Sequence, residues 1–163
     1  MKGFVLFLAT GAGSGYVPIA PGTAGTLVGL LIYLAGFQRV VAPLYLLTLL
    51  AGVALAIWAS DAAIAIFGRK DPPQVTIDEV VGMLTTMALV PALGEFSVGP
   101  VSVPSNVLLG FVFFRLFDIL KPFPIRWIER TAPGGYGVVL DDVAAGIYAN
   151  IALWGVALLT HLF

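Results

Sequence analysis

Long apolar runs, broken by short polar clusters, dominate this chain. A membrane-spanning helix needs roughly 20 apolar residues. Five runs approach that length: residues 23–37, 40–59, 80–93, 105–120 and 143–163. The first and third are short, and fit re-entrant or partly buried helices as well as crossings. The pattern predicts an all-α, polytopic membrane helical bundle of about five helices, built by residues 1–163 as a single domain. At the start, Lys2 followed by "GFVLFLATGA" resembles a short signal peptide. Because the apolar pattern simply continues, a retained or re-entrant segment is the better reading.

The polar positions give the bundle a direction. With Met1 in the cytoplasm, Lys2, Arg69, Lys70, Lys121, Arg126 and Arg130 all fall on the cytoplasmic side. Arg39 alone falls outside, and Arg115 lies within the fourth run. The positive-inside rule therefore predicts an N-in, C-out arrangement, with His161 at the outer end. The acids play no part in that assignment, yet they gather on the same side. Asp61 and Asp71 follow or close the second run, and Asp78 and Glu79 open the third. Asp118 lies near the inner end of the fourth, and Asp141 and Asp142 open the fifth, while Glu95 falls outside. Ionisable groups beside hydrocarbon are costly and face partners or wet cavities. The economical expectation is one polar active site at the cytoplasmic face.

Composition supports a bilayer as solvent. The chain is 60% hydrophobic and 10% charged, with mean hydropathy +1.03, against ~25% charged residues in a soluble domain. A net charge of −1 offers no basic field for nucleic acid. The absence of cysteine excludes thiolate nucleophiles, disulfides and Cys-rich zinc sites. The lone His161, placed outside, excludes a histidine phosphoenzyme on the wet face. Neither Gly-rich nucleotide motif is present.

Three stretches carry candidate chemistry. "VTIDEVVGM" reads first as a capping box, Thr76 to Glu79. "VVLDDVAAG" likewise allows Asp141 as an N-cap and Asp142 against the helix dipole. The two stretches resemble each other, each with two acids, a valine and then Gly82 or Gly146, glycines that let helices approach closely. Two such helix starts at one depth would gather four carboxylates. These need a cation, and hard oxygen ligands favour Mg²⁺ or Mn²⁺. In "FFRLFDILKPFPIRWIER", Arg115 and Asp118 share a helix face and Pro122 ends the helix at Lys121. An ion pair with snorkelling Lys121 and Arg126 would account for that stretch without chemistry. In a functional reading, Asp118 joins the ligands, and Arg115 and Lys121 neutralise a phosphate. Finally, "GAGSGYVPIAPGTAGTLVG" predicts a rigid loop and a helix whose start, Gly22–Thr23, can meet an anion. A small cation carrier remains an alternative, since intramembrane carboxylates also mark ion paths. A purely structural membrane subunit is another.

Taken together, "APGTAGTL", "IDEVVGM", "FRLFDILKPFPIRW" and "GGYGVVLDDVAAG" resemble, in order and spacing, the phosphatidylglycerophosphatase A family over about residues 11–146. The resemblance implies a Mg²⁺-dependent phosphatase of the bacterial cytoplasmic (inner) membrane. Such an enzyme hydrolyses phosphatidylglycerophosphate to phosphatidylglycerol and phosphate, at a site facing the cytoplasm. It covers Pro21, Gly22, Thr23 and Gly25; Asp71, Asp78, Glu79 and Gly82; Arg115, Asp118, Lys121, Pro122 and Pro124; and Gly134, Gly135, Asp141, Asp142 and Gly146. Asp78, Glu79, Asp118, Asp141 and Asp142 are then the expected catalytic and metal-binding residues. Thr23, Arg115 and Lys121 are expected to hold the phosphoryl group. Where some relatives carry histidine before the double glycine, this chain has Pro133, so a histidine acid or base there is not essential. Asp61 has no clear counterpart and is left as a pore-side or capping residue. A phosphatase for another lipid phosphomonoester is the nearest alternative. The sequence tract of the CDP-alcohol head-group transferases is absent.

Overall fold

A computed structural model describes residues 2–98 and 101–162. Among them, seven α-helices follow in order: α1 (Lys2–Ala9), α2 (Pro21–Ala35), α3 (Ala42–Phe67), α4 (Ile77–Thr86), α5 (Ser105–Leu120), α6 (Ile125–Thr131) and α7 (Gly134–Leu162). The one addition to the all-α expectation is a two-stranded antiparallel hairpin, β1 (Glu95–Val98) and β2 (Val101–Pro104). Its register sets Ser97 opposite Ser102, whose hydroxyls meet at 2.7 Å.

Two helices, α3 and α7, are long and apolar enough to cross a membrane. The 26 residues of α3 span about 39 Å, against a hydrocarbon core of ~30 Å. On α7, Ala145, Ala149, Leu153 and Ala157 form a buried stripe, small except at Leu153, while Ile147, Ile151, Trp154 and Leu158 face outward. A helix that shows large apolar side chains on its outer face suits lipid rather than water. The fold is thus built on two long helices suited by length and outer face to a membrane. The helix α5 packs on α7, the shorter apolar α2 packs on α4, and Lys121 closes α5 in a left-handed conformation just before Pro122, where the helix is expected to end.

Two expectations are corrected. The third apolar run does not stay helical through residue 93. Its helix, α4, ends at Thr86 after 10 residues, and Leu89 turns the chain at φ +57° just before Val90–Pro91. Nine of those ten residues are buried. At about 15 Å, α4 is too short to span and is held entirely by protein. The fifth helix starts at Gly134, not near residue 143, because Asp61 Oδ1 accepts the Gly135 N–H at 2.6 Å and caps the first turn from α3. Asp61 is therefore a capping residue, but for another helix. Asp141 and Asp142 lie two turns inside α7, so neither is an N-cap.

The core sits where α4 meets α7. A Cβ on Gly146 would lie 2.5 Å from the Gly82 carbonyl oxygen, and one on Gly82 would lie 3.0 Å from the Asp142 carbonyl. Both glycines are there because the two backbones nearly touch, which is the close approach their sequence context predicts. Phe114 of α5 fills the gap beside Gly82 and is fully buried.

Candidate active site

Because α2, α4 and α7 start, and α3 and α5 end, at the same level, their polar residues meet in one cavity of about 250 Å³. Pro21 and Gly22 of α2 line it, with Lys70, Asp71, Pro72 and Pro73 from the segment after α3. The remaining walls are Asp78 and Glu79 of α4, Asp118 and Lys121 at the end of α5, Glu129 of α6, and Asp141 and Asp142 of α7. All five carboxylates singled out in the sequence are in that lining. Thr23 and Arg115 are not: Thr23 adjoins Gly22, and Arg115 stands behind the carboxylates it binds.

Fixed cations hold part of the acidic set. Arg115 Nη1 lies 2.6 Å from Glu79 Oε2 and 2.9 Å from Asp118 Oδ2. The second is the i, i+3 pair expected on one helix face. The Thr26 hydroxyl donates to the same Glu79 oxygen at 3.0 Å. Lys121 Nζ reaches Glu129 Oε1 and Asp141 Oδ2, both at 2.7 Å. Burial alone would lower the Lys121 pKa, but the hydrogen bonds its ammonium donates to Asp141 and Glu129 outweigh that and hold the pKa above its ordinary value.

The capping box does not form. Thr76 does start α4, but its side chain makes no cap; its hydroxyl meets Ser14 Oγ at 3.0 Å, and its N–H donates to the Ala9 carbonyl. Glu79, which would complete the box, is turned away to Arg115 and Thr26. The bland reading of "TIDE" therefore fails, and a buried ion-pair network takes its place.

Asp78 and Asp142 differ from the rest. Among the described residues neither has a basic partner within salt-bridge distance, although both are buried. Asp78 Oδ1 accepts only the N–H of its neighbour Glu79, at 3.0 Å. Asp142 lies within electrostatic reach of Glu79, Asp78, Asp118 and Asp141. Asp142 Oδ2 and Asp141 Oδ1 are buried without any hydrogen-bond partner. Among the described residues no three carboxylates stand close enough to form a ready-made metal ligand set.

Sequence reasoning singles out neither Lys70 nor Glu129 nor Thr26. Lys70 sits in a short polar loop with no motif around it. Glu129 reaches Lys121 across a turn carrying Pro122 and Pro124, where no helical spacing rule applies. Thr26 does carry a signal: it lies on the helix face one turn beyond Gly22, directed at whatever Gly22 adjoins.

The family profile described as phosphatidylglycerophosphatase A matches residues 7–157. A phosphatidylglycerophosphatase A of Haemophilus influenzae is 33% identical over 149 residues, covering 91% of this chain and 86% of its own. One of Escherichia coli K12 is 37% identical over 146 residues, covering 86% and 76%. A Bacteroides thetaiotaomicron protein, 37% identical over 152 residues (91% and 90%), is provisionally named a phosphatidylinositol-3-phosphatase. No solved structure matches the chain significantly. With a profile match over residues 7–157 and relatives 33% and 37% identical over most of the chain, the chain belongs to the phosphatidylglycerophosphatase A family.

Proposed function

We propose that this protein hydrolyses the terminal phosphomonoester of phosphatidylglycerophosphate, releasing phosphatidylglycerol and phosphate, with a divalent cation held in the cavity. The observation that carries the cation is the charge left over after pairing. Arg115 and Lys121 answer Glu79, Asp118, Glu129 and Asp141, while Asp78 and Asp142 stay buried and unanswered. Two buried carboxylates with no base, one of them (Asp142) with an oxygen that has no hydrogen bond, beside the equally free Oδ1 of Asp141, are a costly arrangement without a cation. All the donors are hard oxygens, and Mg²⁺ needs only one or two carboxylates because it keeps several waters. Asp78 and Asp142, with waters completing the shell, would hold Mg²⁺ or Mn²⁺, and Arg115 orients Glu79 and Asp118 beside them. Bound there, such an ion supplies an acidified water and charge neutralisation for the phosphoryl oxygens.

The protein's own groups do the rest. Lys70, which has no carboxylate partner among the described residues, lines the cavity and can neutralise the incoming phosphate. Lys121, locked between Asp141 and Glu129, adds fixed positive charge to the same cavity. In the reaction the water oxygen bonds to phosphorus, the bond from phosphorus to the glycerol oxygen breaks, and the water's proton ends on that oxygen. The cavity carboxylates are the bases available to carry it.

Five basic residues, Arg69, Lys70, Lys121, Arg126 and Arg130, border the cavity end of the bundle in sequence, which supports a multi-pass chain of the bacterial inner membrane with this end in the cytoplasm. The reading is tested with purified protein in mixed micelles. Phosphate release from phosphatidylglycerophosphate should require Mg²⁺ or Mn²⁺ and stop in EDTA. Full activity in EDTA would sink the cation. The name of the Bacteroides relative favours a second reading, a phosphoinositide phosphomonoester as substrate, so both lipids belong in the assay.

A further inference from the structure

We infer that the groove beside α6 is a second anion subsite, which binds the phosphodiester of the lipid substrate while the terminal phosphate occupies the acidic cavity. The groove has a volume of about 510 Å³ and shares one wall, Lys121, with that cavity. Its other determining residues are Phe123, Arg126, Trp127 and Arg130. This inference rests on the substrate proposed above.

Charge carries the argument. Arg126 and Arg130 stand four apart on one face of α6, where like charges repel by a few tenths of a kcal/mol. No carboxylate answers them among the described residues. The one acid nearby, Glu129, is taken by Lys121. Arg126 is nonetheless held, because its Nη2 donates to the Leu120 carbonyl at the end of α5, 3.1 Å away. The loop between them is pinned too, since the Tyr148 hydroxyl donates to the Phe123 carbonyl at 2.9 Å. An exposed arginine pair, one member of it held in place, with no anion of the protein against it among the described residues, is complementary to an external one.

The surroundings identify that anion as part of a lipid. Phe123 is 80% exposed and Trp127 58% exposed, on the same segment as the arginines. Exposed aromatics beside arginine mark the level where head groups meet hydrocarbon. Phosphatidylglycerophosphate carries two phosphorus groups joined by one glycerol, the monoester at the tip and the diester nearer the acyl chains. A site for the first therefore requires the second to lie next door and closer to the lipid. The α6 groove lies next door through Lys121, and it carries the aromatics that a lipid-side position requires.

The Arg126→Gln/Arg130→Gln protein is assayed on two lipids: phosphatidylglycerophosphate, and phosphatidic acid, a lipid phosphomonoester without the diester. For phosphatidylglycerophosphate, KM should rise about tenfold, as expected for lost charged hydrogen bonds. The loss should fall on KM rather than kcat, and should be much smaller for phosphatidic acid. Arg126→Lys/Arg130→Lys should recover part of it. Inhibition by phosphatidylglycerol, which keeps only the diester, should weaken by a similar factor. That measurement decides the matter if phosphatidic acid is not turned over. An unchanged KM for phosphatidylglycerophosphate, or an equal loss on both lipids, overturns the subsite and leaves the proposed activity standing. A wild-type protein inert toward phosphatidylglycerophosphate overturns the activity instead. In that case co-sedimentation with phosphatidylglycerol vesicles, compared between wild type and Arg126→Gln/Arg130→Gln, still decides the subsite, and equal binding overturns it.

Discussion

The acidic pair that opens α4 and the acidic pair inside α7 divide their labour in the same way. In each, one carboxylate is tied to a fixed base: Glu79 to Arg115, and Asp141 to Lys121. In each, the other is buried with no base: Asp78 and Asp142. The tied member anchors a cation of the protein in place. The untied member keeps its charge available for something that arrives. Had all four been paired, the cavity would be a structural salt-bridge cluster. Had none been paired, burying it would cost more than the fold could supply.

The sharpest way to break the comparison is to neutralise an untied acid. Asp78→Asn or Asp142→Asn should lower kcat by roughly 10²- to 10³-fold, the cost of losing a main electrostatic contact in a reacting site. The same changes relieve repulsion between buried carboxylates, so the unfolding midpoint in detergent should hold or rise. Stabilisation of the wild type by Mg²⁺ should vanish in both variants. A variant that keeps turnover and the Mg²⁺ shift would erase the distinction between tied and untied acids.

Removing a base should act the other way round. Arg115→Met leaves Glu79 and Asp118 largely buried without a base, with only the Thr26 hydroxyl still donating to Glu79. Breaking a buried pair costs about 3–5 kcal/mol, and Arg115 is 20% exposed, so a loss nearer 2–3 kcal/mol is expected. Thermal unfolding in detergent would show a lower midpoint with or without Mg²⁺. An unshifted midpoint would mean that the ion pairs only decorate the site.

The two pairs meet because Gly82 and Gly146 let α4 and α7 touch. Gly146→Ala places a methyl group against the Gly82 carbonyl, an overpacking that typically costs about 1–3 kcal/mol. It should weaken stability and activity together, unlike either charge substitution. The smallest change is Thr26→Val, which removes one hydrogen bond to Glu79 for about 1 kcal/mol. A several-fold fall in kcat/KM with a nearly unchanged midpoint would show that Thr26 sets the carboxylate's position. A kcat/KM equal to wild type would assign the positioning to Arg115 alone.

How much of this was legible in the sequence depended on the range of the forces involved. The end of α5 is written locally, in Pro122 after Lys121, and the Arg115–Asp118 pair in its i, i+3 spacing. The glycine seats were legible because small residues facing one another have few other uses in a greasy helix. The start of α7 was not, since two acids before an apolar run look like a helix start. The true first turn, by contrast, is capped by Asp61, more than seventy residues upstream. For the same reason Thr76 and Glu79 spell a capping box that never closes: Ser14 and Arg115 make the better offers. The acids converge on one cavity, as their common level predicts. Which of them is paired is decided by contacts between helices, which no local spacing encodes.

The brevity of α4 also constrains how the protein is made. A segment of 10 residues that begins with two acids cannot partition into lipid by itself as a spanning helix does. It can settle only into a slot already walled by its neighbours, chiefly α2 and α7. In chain order α7 emerges last of these, carrying Asp141 and Asp142 with it. Half of the acidic site therefore waits, unhoused, until the other half is inserted. Catalytic competence is then reached in a single late event of biogenesis, when the closing helix enters the bilayer and α4 is taken in.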